Sequence, residues 1–229
     1  METVTQKGKG FIDGNLFFPV HFEDIRYVPI GDYLSLGEIA LYGQIPVSKQ
    51  KDRLAGRYSA KRVLQEYTKR EYARDVVLRD IIITSHPGAG VSFVISGDTL
   101  ERPMHLSISH CNERGVAVLD PAPIGVDIEE IRIFREETLC AFLTHREKTF
   151  LGDVSGRDNS LVATLFWSLK EAYLKALGKG ITIHPQTVEI SLGRELQFQG
   201  LFHNGVPVPV WGEWGMFDSR HILTGVKIL

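Results

Sequence analysis

The chain has 229 residues, is 43% hydrophobic and 24% charged, and carries a formal net charge of −2. That length allows one large domain or two compact halves with a real core, and so even a charge balance excludes a general electrostatic case for nucleic acid or an anionic membrane, leaving any anion site to a local patch. Cys111 and Cys140 are too few and too far apart for a disulfide framework or structural zinc site; with no apolar run of spanning length and no signal-peptide pattern, the expectation is a cytoplasmic protein in a reducing compartment.

Residues 1–46 are aromatic and loop-rich and give no assignable pattern. A first helix is expected from about Lys49 to Arg74, where Ala60, Val63, Leu64 and Tyr67 fall at i, i+3, i+4 and i+7. Arg53, Arg57 and Lys61 recur every four residues along it, flanked by Lys49 and Lys51. Such a stripe either holds a phosphate group or is a solvated face moderated by Asp52 and Glu66. Strand-like runs follow at Ile81–Thr84, Val91–Ser96, His105–His110 and Gly115–Leu119. The third ends in Ser107-Ile108-Ser109-His110, whose hydroxyls and imidazole can donate to phosphate oxygens or simply sit in a turn. Pro121-Ala122-Pro123 interrupts regular structure and marks the expected boundary between residues 1–122 and 123–229.

A new strand begins at Ile124. In Gly125-Val126-Asp127-Ile128-Glu129 the alternation places both carboxylates on one face, their Cα atoms roughly 6.6 Å apart. Side by side, they would repel unless something cationic lay between them. Helical segments are expected at about Arg135–Leu151, where Thr144 complicates a single helix, and at about Ser160–Leu177. The latter opens with the cap-forming Asp158-Asn159-Ser160 and stops at Gly178-Lys179-Gly180, which reads as a C-cap. It carries Trp167, Lys170, Glu171 and Lys175, with Glu171 and Lys175 one turn apart on one face and Trp167 expected in the core. Two readings of the acids stand. They are a solvated strand face and an ordinary helix ion pair, or two strand carboxylates and one helix carboxylate suited to Mg²⁺, which takes few protein ligands and completes its shell with water and substrate phosphates. The tail alternates from Thr187 onward, with a hairpin signal at Asn204-Gly205. Each half therefore has a helix and several strands, as two similar α/β units would.

In this order the segments resemble the 4′-phosphopantetheinyl transferases of the larger, Sfp-like type. The resemblance covers about residues 50–190 and rests on Gly56-Arg57-x-x-Ala60-Lys61, Ser107-x-Ser109-His110, Ile124-Gly125-Val126-Asp127-Ile128-Glu129 and Trp167-Ser168-x-Lys170-Glu171-Ala172-x-x-Lys175. Leu54 to Lys61 and Ser109-His110-Cys111 look closest to the subgroup that includes the enterobactin-synthetase transferase. The resemblance implies an α+β pseudo-dimer, two similar halves in one chain, each a helix on a mainly antiparallel sheet, with the site between them and no need for a second subunit. It implies that a serine of an apo acyl or peptidyl carrier protein attacks the β-phosphorus of coenzyme A and that 3′,5′-ADP leaves. Asp127, Glu129 and Glu171 would hold Mg²⁺ (or Mn²⁺). Glu171 or a metal-bound water would take the serine proton. Lys175 and His110, with Ser109 beside it, would contact the pyrophosphate region. Arg57 and Lys61, with Arg53 on the same stripe, would reach the 3′-phosphate, and Lys170 would be a secondary coenzyme contact. One departure stands out: the family often has Gly-Lys-Pro before the Ser-x-Ser-His strand, whereas this chain offers His86-Pro87-Gly88-Ala89-Gly90 and Glu101-Arg102-Pro103, with Arg102 as a possible substitute for the lysine. Another Mg²⁺-dependent phosphoryl-transfer or pyrophosphate-cleaving enzyme, and a non-catalytic carrier-binding domain, are the alternatives.

Overall fold

A computed structural model of the chain describes residues 16–86, 90–96, 102–154, 158–179 and 182–229. The segment that resisted assignment from sequence holds strand β1 (Leu16–His21) and three short helices, α1 (Phe22–Ile25), α2 (Ile30–Tyr33) and α3 (Leu36–Tyr42). The first long helix, α4, spans Val47–Tyr72 and ends at Ala73 in a left-handed conformation, within two residues of expectation at each end. Next come β2 (Ile81–His86), β3 (Gly90–Ile95), β4 (His105–Cys111), β5 (Arg114–Asp120) and β6 (Ile124–Glu130). The expected Arg135–Leu151 helix is two helices, α5 (Glu136–Phe142) and α6 (His145–Asp153). Thr144 caps α6, accepting from the Glu147 amide while the Glu147 carboxylate accepts from the Thr144 amide. That reciprocal bond starts a helix and so divides what periodicity alone joined.

Helix α7 spans Asn159–Ala176, opened by Asp158 accepting from the Ser160 amide, and Gly178, at φ 67° just after the C-cap Leu177, ends it. The tail forms β7 (Val188–Leu192), β8 (Phe198–His203), β9 (Val206–Val208), β10 (Val210–Met216) and β11 (His221–Ile228). Asn204 and Gly205, both with positive φ, turn β8 into β9 as the hairpin signal foresaw.

Sheet order shows the pseudo-dimer within the chain itself. One antiparallel sheet runs β1-β5-β4 and another β6-β11-β10, so in each a first strand precedes the long helix and the last strand inserts between its neighbours. The path crosses from one sheet to the other at Pro121-Ala122-Pro123. Helix α4 covers the first sheet over a core of Ala60, Val63, Leu64, Ile81 and Ala117. Helix α7 covers the second over Leu165, Phe166, Leu169, Tyr173 and Ile222. A third cluster, with Val116, Val118, Val126, Ile128 and Leu223, packs the two sheets together.

The contact of β4 with β6 positions the chemistry. It is stitched by side chains: the Ser107 hydroxyl accepts from the Val126 amide at 3.0 Å and the Ser109 hydroxyl from the Ile128 amide at 3.3 Å. Gly125 lets β6 close on α7, since a Cβ there would lie 1.8 Å from the Ala172 carbonyl oxygen.

Candidate functional site

Strand β6 is buried on both faces, so its acids are not the solvated face of an edge strand. Asp127 is 4% exposed. Its Oδ1 accepts from Lys175 Nζ at 2.6 Å and from Ser109 Oγ at 2.8 Å, and its Oδ2 from Ser168 Oγ at 2.8 Å. Lys175 Nζ also donates to Ser109 Oγ at 2.9 Å and to the Val126 carbonyl at 3.1 Å. The expected helix pair of Glu171 with Lys175 thus gives way to a pair reaching across to the strand.

Glu129 Oε1 accepts from the Trp167 indole at 3.0 Å. Burial, and then the Asp127 charge, push the Glu129 carboxyl up to about 7. The same two causes raise Glu171, with Lys175 opposing them. Two of the three carboxyls are thus raised despite Lys175 and, at Glu129, Arg132. Carboxylate oxygens are a fitting donor chemistry for a hard divalent cation. Among the described residues, no group of three acid, histidine or cysteine side chains is already placed to hold one ion. Lys175 and Trp167 occupy oxygens that an ion would share.

On the other side of β4 lies a cationic cleft of about 160 Å³, lined by Arg53, Gly56, Arg57, Ser85, Ile108 and His110. Gly56 lets the His110 strand approach α4, because a Cβ there would stand 3.1 Å from the imidazole. Arg57 Nη2 donates to Ser85 Oγ at 3.2 Å. Its buried Nη1 has no partner, and burial pulls the guanidinium down to about 10. A desolvated guanidinium with a free donor is a receptor for an anion. Burial, followed by the Lys175 charge, lowers His110, which keeps the imidazole neutral at neutral pH. Ser109, next to His110 on β4, bonds Asp127 at 2.8 Å, so the cleft and the acid cluster adjoin.

Two expected site residues are elsewhere. Lys61 and Lys170 are both fully buried. Lys61 Nζ bonds Glu38 at 2.6 Å and the carbonyls of Ile81 and Leu78 at 2.5 and 3.2 Å. Lys170 Nζ bonds Glu147 at 2.8 Å and the carbonyls of Phe142 and Pro185 at 2.6 and 3.1 Å. An ammonium has three donors, and all are spent inside the protein. These lysines are tied into the fold, and neither lines the Arg53–Arg57–His110 cleft. Arg102 is exposed and does not line this cleft; Pro87, Gly88, Ala89 and Glu101 lie outside the described residues. Ser168, which bonds Asp127, and Thr224, which reaches it through Ser168, were missed. Ser168 was legible as the residue one turn before Glu171, but Thr224 is found only through its pairing opposite Asp127.

Residues 123–216 match the family model described as the 4′-phosphopantetheinyl transferase superfamily. The resemblance to these transferases holds. The chain is 37% identical over 82 residues to the transferase gsp of Aneurinibacillus migulanus, covering 35% of this chain and 34% of that protein. It is 29% identical over 96 residues to Sfp of Bacillus subtilis strain 168, covering 41% and 42%. A further 4′-phosphopantetheinyl transferase of Bacillus subtilis is 24% identical over 169 residues, covering 66% of this chain and 75% of that one. The matched segment thus spans about a third of the length of the first of these relatives, and none of the three singles out the enterobactin subgroup. Cys111 and Cys140 are free, and no helix among the described residues is long and apolar enough to cross a membrane.

Proposed function

We propose that the chain transfers the 4′-phosphopantetheine arm of coenzyme A to a serine of an apo carrier protein in the cytoplasm, with residues 1–122 receiving the 3′-phosphate end and residues 123–229 carrying the reactive acids. The observation that carries this reading is the adjacency of two unlike subsites. The Arg53–Arg57–His110 cleft has an unpartnered buried donor for a phosphate, and it abuts the Asp127, Glu129, Glu171 and Lys175 cluster, where a pyrophosphate would meet both a cation and carboxylates.

In the reaction a carrier serine Oγ forms a bond to the β-phosphorus, and the bond from that phosphorus to the bridging oxygen breaks, releasing 3′,5′-ADP. Glu171 takes the serine proton; burial and the Asp127 charge raise its pKa and make it a stronger base than an ordinary carboxylate. Neutral His110 donates to a phosphoryl oxygen, and Lys175 offsets charge on the pyrophosphate as it leaves. Asp127, Glu129 and Glu171 would hold Mg²⁺, which when bound supplies further neutralisation of that charge. Most of the acceleration then comes from positioning and electrostatics.

The test is incubation with coenzyme A, Mg²⁺ and an apo carrier protein, read by mass spectrometry. A carrier heavier by one phosphopantetheine arm is expected. Coenzyme A turnover without a carrier, or no turnover with fatty-acid, polyketide and peptide carriers alike, would overturn the proposal.

A further inference from the structure

Asp127 is held from a second side by residues that take no part in the chemistry above. Ser168 and Thr224 are both fully buried. Ser168 Oγ stands 2.8 Å from Asp127 Oδ2 and 2.8 Å from Thr224 Oγ1, and Thr224 Oγ1 also lies 3.0 Å from the Ser168 carbonyl. An ionised carboxylate only accepts, and each hydroxyl has one proton. Ser168 must therefore give its proton to Asp127. Having spent it, Ser168 Oγ can only accept, and the single Thr224 proton is shared between that oxygen and the Ser168 carbonyl, both on α7. All hydroxyl protons thus point one way, from β11 through α7 to β6.

The first half provides an internal control. Ser59, at the position in α4 that Ser168 holds in α7, donates to the Phe18 carbonyl, and the residue facing Phe18 across the sheet is Ala117, not a threonine. Where no carboxylate needs fixing, the serine is kept and the second hydroxyl is absent.

We propose that Thr224 and Ser168 are positioning residues, a buried hydroxyl relay that fixes the Asp127 carboxylate so that Oδ1 stays presented to Lys175 and the substrate side. The inference rests on Asp127 serving the transfer reaction proposed above, though neither relay residue lines the coenzyme cleft. Since small misplacement at a reacting centre is felt mainly in turnover, Thr224→Val, which keeps shape and removes the hydroxyl, should lower kcat ~10-fold. KM for coenzyme A should stay within about twofold. Ser168→Ala should fall at least as far, and Thr224→Ser, which retains the proton, should restore most of the rate. Melting curves identify any variant that fails to fold; in that case the remaining pair of variants decides.

A second readout does not depend on activity. The Lys175 ammonium, held on Asp127, should give a side-chain ¹H–¹⁵N signal that shifts or broadens in Thr224→Val and Ser168→Ala but not in Thr224→Ser. Unchanged kcat in folded Thr224→Val overturns the relay, as does equal impairment in Thr224→Ser, which would assign the effect to packing. If the wild-type chain modifies no carrier, the functional reading fails and the ammonium spectrum alone judges the relay: an unaltered Lys175 signal in both hydroxyl-deleted variants sinks it.

Discussion

In α4, Ser59 donates to the backbone carbonyl of Phe18, and the Arg62 guanidinium lies 5.0 Å above the Phe18 ring. At the matching positions of α7, Ser168 donates to the Asp127 carboxylate, and Glu171 stands in place of the arginine. Yet the two helices are anchored alike. Ser35 and Glu38 form the capping box of α3, and Glu38 grips Lys61; Thr144 and Glu147 form the capping box of α6, and Glu147 grips Lys170. The same sequence offset separates both members of every pair. Anchors are shared because both halves must fix a long helix to a sheet, whereas a reactive cluster is needed once. A duplicated scaffold thus becomes a single site by exchanging side chains along one helix–strand contact.

The largest test of this contrast sets Asp127 against its counterpart Phe18. Asp127→Ala should lower carrier modification per folded molecule by about 10³-fold, because it removes the carboxylate on which Lys175, Ser109 and Ser168 converge, and stranding those donors should lower stability as well. Phe18→Ala should instead cost about 2 kcal/mol of stability through lost packing, leaving the rate per folded molecule intact. Denaturant unfolding and the transfer assay on both variants check this. Near-normal modification by Asp127→Ala would remove the acid from the site.

The next contrast is between likeness and sequence motif. Lys61→Met and Lys170→Met should each destabilise by about 3–5 kcal/mol, because each strands a buried glutamate. Pairing Lys61→Met with Glu38→Leu should recover much of that loss. Where Lys61→Met stays folded, KM for coenzyme A should match the wild type. A selective rise in KM would return Lys61 to the coenzyme cleft.

These lysines show where sequence was readable and where it was not. The spacing of Arg53, Arg57 and Lys61 correctly placed three cations on one helix face, but helical spacing does not say how deep each sits. The stripe descends from the half-buried arginines into the core, and the partner Glu38 lies in a segment that gave no pattern. The acids of β6 were legible because strand alternation fixes their face. Their burial was not, since it comes from β4 and α7 closing over that face. Thr224 carries no local signal at all, because only strand register brings it to Asp127.

A smaller effect separates the two arginines from the buried lysine. Arg57→Ala should raise KM for coenzyme A roughly 10- to 30-fold, as expected for loss of a charge-assisted contact to phosphate. The 3′-dephospho analogue should suffer less. Equal effects on both substrates would move the 3′-phosphate away from this cleft.

The smallest expected effect concerns the raised carboxyls of the second half. Glu129 titrates at about 7 in the fold, against an ordinary value of 4.5, because burial and Asp127 disfavour its ionised form. A group raised by folding contributes stability that is complete below its unfolded value and is lost as pH climbs through its folded value. The wild type should therefore lose stability between about pH 4.5 and pH 7 from this source. Glu129→Gln keeps an acceptor for the Trp167 indole but has no proton to lose. The variant should accordingly gain on the wild type across that window, then run parallel to it at higher pH. At 1.36 kcal/mol per unit the gap could reach about 3 kcal/mol; partial solvent access reduces it to about 1–2 kcal/mol. Urea unfolding of both proteins at about pH 5 and about pH 8, in chelator, measures it. A gap that is larger at the acidic pH would reverse the sign and show that the Trp167 hydrogen bond with Arg132 and Lys175 outweighs burial and Asp127 at Glu129.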